Sequence, residues 1–169
     1  MIPAITPAIL ATPALLGAAL MLVLLAYSDL SSRRLPNTWV GMYAALFVLH
    51  AWASGMGWQQ LGGHAIVAAA AMALLVLLFI LRAMGGGDVK LWTVLMLWAG
   101  PAGAIMAVFI VTISGALLGS VGWLIQRLLR VRPHWKAIKA FRMLTAARGV
   151  PYGVGLTLAG LHNLLTISV

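Results

Sequence analysis

The sequence contains no cysteine. Disulfides, thiolate zinc sites and thiol nucleophiles are therefore excluded, and cysteine usage says nothing of the redox compartment. Acidic residues are almost as scarce: Asp29 and Asp88 are the only two, against eleven Lys and Arg. Charged residues make up 8% of the 169, where a soluble domain devotes about a quarter of its length to them. A chain so poor in charge cannot cover a globular surface, so most of it must face lipid or other buried helices. The four histidines (His50, His64, His134 and His162) lie far apart in sequence, and no metal site or cofactor is expected. The net charge of +9 would suggest nucleic acid in a soluble protein. Here 63% of residues are hydrophobic and the mean hydropathy is +1.07, so the basic excess is read as membrane topology, with no nucleic-acid partner.

What the chain does have is long apolar runs. Six can be marked, at roughly 8–27, 38–54, 64–82, 89–100, 103–126 and 150–168. Most approach the ~20 residues needed to cross the hydrocarbon core. The fourth is short and ends at Gly100-Pro101, where proline stops a helix. No Lys or Arg precedes the first run, so it reads as a retained span and not as a secretory signal. The expectation is an all-α polytopic membrane protein of about six transmembrane helices, a single domain over 1–169.

The basic residues orient it. Arg33 and Arg34 follow the first run, and Arg82 and Lys90 bracket the junction of the third and fourth. Arg127, Arg130, Arg132, Lys136, Lys139, Arg142 and Arg148 lie between the fifth and sixth. The connections near 55–63 and 100–103 carry none. Six spans put every basic loop on one side, which the positive-inside rule assigns to the cytoplasm, with both termini outside. In the segment 127–148, Trp135, Ile138, Phe141 and Leu144 recur at helical spacing among Lys136, Lys139 and Arg142. That suits a basic amphipathic helix on an anionic bilayer surface, and equally a loop that only sets orientation. Trp39, Trp123 and Trp135 fall near the expected interfaces as belt residues, and His50 and His162 at outer span ends. Gly115-Ala-Leu-Leu-Gly119 in the fifth run is a small-residue pattern for close helix packing, with an oligomer through that span as one use.

The two acids sit at span ends, Asp29 closing the first and Asp88 opening the fourth. With this topology both carboxylates lie near the inner interface. Charge beside hydrocarbon is costly and tends to mark function. Peptide hydrolysis by a carboxylate pair needs this arrangement, because two close carboxylates do not both ionise cheaply and so supply an acid and a base together. A structural or proton-relay pair, salt-bridged to Arg33, Arg34 or Lys90, would use the same placement. Charge alone leaves both readings open.

The local sequence is more specific. Asp88 lies in Met84-Gly85-Gly86-Gly87-Asp88-Val89-Lys90-Leu91, where the glycines permit unusual backbone and close approach of a substrate strand. This Gly-x-Gly-Asp-x-Lys-Leu, with Gly100 downstream, resembles the second-aspartate motif of type IV prepilin peptidases. Asp29-Leu-Ser-Ser-Arg-Arg-Leu-Pro36-Asn37 resembles their first, in which Pro-Asn follows the aspartate at fixed distance. Val150-Pro151-Tyr152-Gly153 resembles a third block that begins the last span. Together the motifs cover about residues 20–160. The resemblance implies a GxGD-type aspartic endopeptidase of the bacterial inner membrane, which removes the leader from prepilins or pseudopilins at the cytoplasmic face. Asp29 and Asp88 are then the catalytic pair, and Gly85, Gly86, Gly87, Lys90, Pro151, Tyr152 and Gly153 shape the active site or meet substrate. Bifunctional family members carry paired CxxC motifs associated with N-methylation. A chain without cysteine is similar instead to the peptidase-only members found with Flp-type pili, and methyltransferase activity is not expected.

Two rivals remain at this point. A presenilin- or signal-peptide-peptidase-like enzyme shares GxGD, but it calls for Tyr-Asp and Pro-Ala-Leu where this chain has Tyr27-Ser28-Asp29 and Val-Pro-Tyr-Gly. A non-enzymatic transporter subunit using the acids as a proton relay would want them near mid-membrane.

Overall fold

The computed structural model describes residues 6–131 and 152–167, which form five helices. They are α1 (Thr6–Ser32), α2 (Asn37–Ala53), α3 (Trp58–Ile80), α4 (Gly86–Val131) and α5 (Tyr152–Ile167). The described residues are all-helical, as the apolar runs imply. Three stretches are long and apolar enough to cross a bilayer: Ala11–Ser32, Trp58–Ile80 and Gly86–Leu128. Large apolar side chains stand exposed along them, among them Leu74, Leu77 and Ile80 on α3 and Ile105, Phe109 and Leu117 on α4. A soluble surface does not carry such a belt, whereas lipid covers it at no cost. Most of the basic segment expected to lie on the bilayer, and Pro151, fall outside the described residues.

The 46 residues of α4 would extend about 70 Å if straight, more than twice the hydrocarbon thickness. They are not straight. Gly100 adopts φ 57°, ψ −168°, with Pro101 directly after it, and the helix breaks there. Neighbours on either side show that the chain reverses. Before the break, Gly86 lies against Phe79 and Leu97 against His64, so this arm runs antiparallel to α3. After it, Gly103 lies against Asn163 and Gly155 against Ser114, so the second arm runs antiparallel to α5. The apolar runs 89–100 and 103–126 are these two arms.

The reversal has a specific support. Pro101 has no N–H, so the Leu97 carbonyl loses its partner four residues on. The Nδ1 of His64 donates to that carbonyl at 2.7 Å. A methyl group on Gly100 would fall within the His64 ring, and Gly100 also holds a positive φ. Gly100→Ala is therefore expected to destabilise by about 1–3 kcal/mol from conformation alone, with the ring conflict added. His64→Leu should cost about 1–3 kcal/mol by leaving the carbonyl unsatisfied. Thermal unfolding in detergent checks both. The double variant should lose less than the sum, because removing the ring relieves the conflict. An unchanged Gly100→Ala would reject this account of the break.

The core holds the helices around Trp98, which is fully buried. Its Nε1 donates to the Tyr43 carbonyl at 3.1 Å, and its ring stacks on Tyr43 and His50 with Phe47 edge-on. His50 is thus in the last turn of α2, near a span end, but it is a buried packing residue. Gly115 of the small-residue pattern packs against Tyr152 of the same chain, so at least half of that pattern serves an internal contact.

Candidate active site

Asp29 lies one turn before the end of α1 and is 6% exposed. The chain then turns sharply. Arg33 takes a left-handed conformation (φ 53°) and its N–H closes on the Asp29 carbonyl at 3.0 Å. Ser28 locks the turn by donating its hydroxyl to the Arg34 carbonyl at 2.7 Å. Pro36 is extended, and its carbonyl accepts from the N–H groups of Trp39 and Val40 to start α2. Residues 33–37 are thereby folded over the end of α1, beside the aspartate.

Asp88 is positioned by a helix start. Gly85 precedes α4 and its carbonyl accepts the Val89 N–H at 3.2 Å, which makes Asp88 the third helical residue. From that position a carboxylate reaches back to the N-cap backbone, as half of a capping box does, and Asp88 bonds to Gly85 in this way. A methyl on Gly85 would stand 3.0 Å from Asp88 Oδ2, tighter than nine in ten real Cβ contacts, so the carboxylate would have to give way. A methyl on Gly87 would meet the Leu35 side chain at 3.3 Å, so the glycine lets the 33–37 turn close onto α4. The two glycines of Gly-x-Gly-Asp thus let this corner pack closely around Asp88.

The two aspartates meet across one polar cavity of about 610 Å³. Its walls are Asp29, Arg33, Arg34, Leu35, Pro36 and Asn37 on one side and Gly85–Asp88 on the other. The carboxylates are close enough to act on each other electrostatically, and the charge of Arg33 acts on both. A third element fixes Asp29 from behind. The Gly153 N–H, in the unsatisfied first turn of α5, donates to Asp29 Oδ2 at 2.9 Å. Nearby, the Thr157 hydroxyl bonds to the Leu22 carbonyl at 2.9 Å and clamps α5 to α1.

The other residues expected from sequence divide. Gly85, Gly86 and Gly87 line the cavity. Lys90 lies just outside it, donating from Nζ to Oδ1 of the wall residue Asn37 at 3.0 Å. Gly153 acts through Asp29, whereas Tyr152 packs against Gly115 and is not among the lining residues. Arg33, expected from sequence only as a topology-setting cation or a salt-bridge partner of the aspartates, and the Leu35–Asn37 wall, of which Pro36-Asn37 belong to the motif, also line the cavity. Two carboxylates in mutual reach, in a cavity with room for water, are equipped for general acid–base hydrolysis.

A model of the type IV leader peptidase family matches residues 16–120, more than half the chain, and that stretch contains both aspartates and all ten residues that line the cavity. No curated protein and no solved structure gives a match.

Proposed function

The chain belongs to the type IV leader peptidase family, and on that premise we propose that it is a membrane aspartic endopeptidase, with Asp29 and Asp88 as its catalytic pair. Its substrates are prepilins or pseudopilins of type IV or Flp systems, from which it removes a short leader. The observation that carries this reading is the shared cavity, which brings together carboxylates from α1 and α4 through two separate turns. One carboxylate, ionised, takes a proton from water as the water oxygen bonds to the scissile carbonyl carbon. The other, protonated, gives its proton to the carbonyl oxygen. The C–N bond then breaks as the carboxyl that took water's proton gives it to the amine nitrogen, while the other carboxylate takes its proton back from the gem-diol oxygen as the carbonyl re-forms, so the pair ends as it began.

In the membrane the chain has six spans: α1, α2, α3, the two arms of α4, and α5, with both termini outside. The first arm of α4 is only about 20 Å long from Gly86 to Ala99. A span that short leaves Asp88 recessed below the bilayer surface, while the cavity remains open among Arg33 and Arg34. Under the positive-inside rule that end faces the cytoplasm of a bacterial inner membrane. Reporter fusions at Gly57 and Lys139 are expected to report outside and inside respectively. The same side from both would remove the topology.

The direct test uses the full-length protein in detergent or liposomes with a prepilin carrying a basic leader that ends in Gly. Leader release at a single bond is expected. Intact prepilin after prolonged incubation with properly inserted protein would overturn the proposed activity.

A further inference from the structure

Among the described cations, Arg33 combines three properties. It lines the cavity between the aspartates, it is half-buried, and its Nε and Nη1 are shielded from solvent. Its left-handed backbone directly after α1 is where glycine is the usual choice. Conformation alone marks nothing, however. Arg82 after α3 has the same geometry (φ 58°), yet it is exposed and away from the cavity. The difference is what the side chain faces. Arg33 lines the same cavity as the aspartates, and its charge acts on both Asp29 and Asp88.

The proposed hydrolysis shows why a cation is needed there. The proton taken from water goes to one carboxylate while the other gives its proton to the carbonyl oxygen. The pair therefore carries one negative charge before, during and after addition. A single uncompensated charge at a buried site beside hydrocarbon is strongly unfavourable. We propose that Arg33 is the positioning residue of this site, holding one compensating positive charge against the singly ionised aspartate pair throughout the reaction. A planar guanidinium presents several donors in a fixed fork, so it can face two carboxylates at once, which an ammonium does less well. The inference rests on reading Asp29 and Asp88 as the catalytic pair.

The test compares full-length wild type, Arg33→Gly and Arg33→Lys on the prepilin probe described above. Glycine suits φ 53°, so Arg33→Gly removes the charge without straining the turn. The expected result is normal insertion, unfolding no earlier than wild type, and kcat lower by about 10²-fold, the scale of losing one fixed electrostatic group. KM should stay within about threefold, since the charge serves the reacting pair and not substrate affinity. Arg33→Lys should fall between. Millimolar guanidinium added to Arg33→Gly should recover about tenfold of the lost rate and leave wild type unchanged. Near-wild-type kcat in Arg33→Gly overturns the inference while leaving the proposed function standing. A loss that guanidinium does not restore, or that appears as early unfolding, assigns Arg33 to the turn alone and also overturns it. No cleavage by wild type removes the proposed function and this inference together.

Discussion

Asp29→Asn and Asp88→Asn are each expected to lower leader cleavage by about four orders of magnitude or more, the scale seen when one member of a catalytic unit is removed. Both variants should still insert and bind the prepilin. The amide keeps the shape of the carboxylate, but it cannot accept a proton from water and cannot share one with its partner. The hydrogen bonds support this separation of chemistry from folding. Asn at 29 can still accept the Gly153 N–H, and Asn at 88 can still accept from Gly85 through its carbonyl oxygen. Because the two carboxylates act as one unit, the double variant should be scarcely slower than either single one. The measurement is single-turnover leader release, with substrate binding followed separately by a fluorescent prepilin. Either single variant cleaving within about tenfold of wild type would return the pair to a structural or relay role, since a true member of such a unit cannot be lost so lightly.

The position of the pair was legible in the sequence because acid is so rare in it. With only Asp29 and Asp88 present, each had to be explained, and the six-span topology expected from the apolar runs and the Lys and Arg would put both near the same face. The break at Gly100-Pro101 was also readable, since proline cannot continue the helix hydrogen bonding. What answers that lost bond was not. His64 lies 33 residues away, and only the packing of α3 on α4 turns its ring to Leu97. The sequence offers Arg33, Arg34 and Lys90 equally as partners of the aspartates, besides their part in topology, because hydropathy weighs a residue's charge and not the direction of its side chain. The Gly115 pattern illustrates the same limit: small residues announce a close contact without saying which helix makes it, and here α5 of the same chain does. The bond from Gly153 to Asp29 spans 124 residues and depends on which face α5 offers to α1.

That bond leads to a prediction with a built-in control. Gly153 and Gly160 both lie where α5 touches α1, at opposite ends of the contact. A methyl on Gly153 would stand 2.7 Å from Asp29 Cβ and 2.8 Å from its Oδ2. A methyl on Gly160 would stand 2.6 Å from Cδ1 of Leu22. The distances are alike, but the obstacles differ. Leu22 Cδ1 ends a side chain that can give by torsion, although it is fully buried, whereas Asp29 Cβ is fixed to the α1 backbone and moves only if the helices part. Parting them breaks the Gly153 N–H bond to Asp29 and swings the carboxylate away from Asp88. Overpacking of this kind costs about 1–3 kcal/mol of stability. The effect on catalysis should be larger, because a displacement of about 1 Å in a reacting group can cost about 10²-fold in rate. Gly153→Ala is therefore expected to insert, to unfold somewhat earlier and to lose about 10²-fold in kcat. Gly160→Ala should show a comparable or smaller loss of stability with cleavage within about threefold of wild type, since only a remote packing contact is disturbed. Equal losses of activity in the two variants would mean that general loosening of α1 from α5, and not the placement of Asp29, governs the rate.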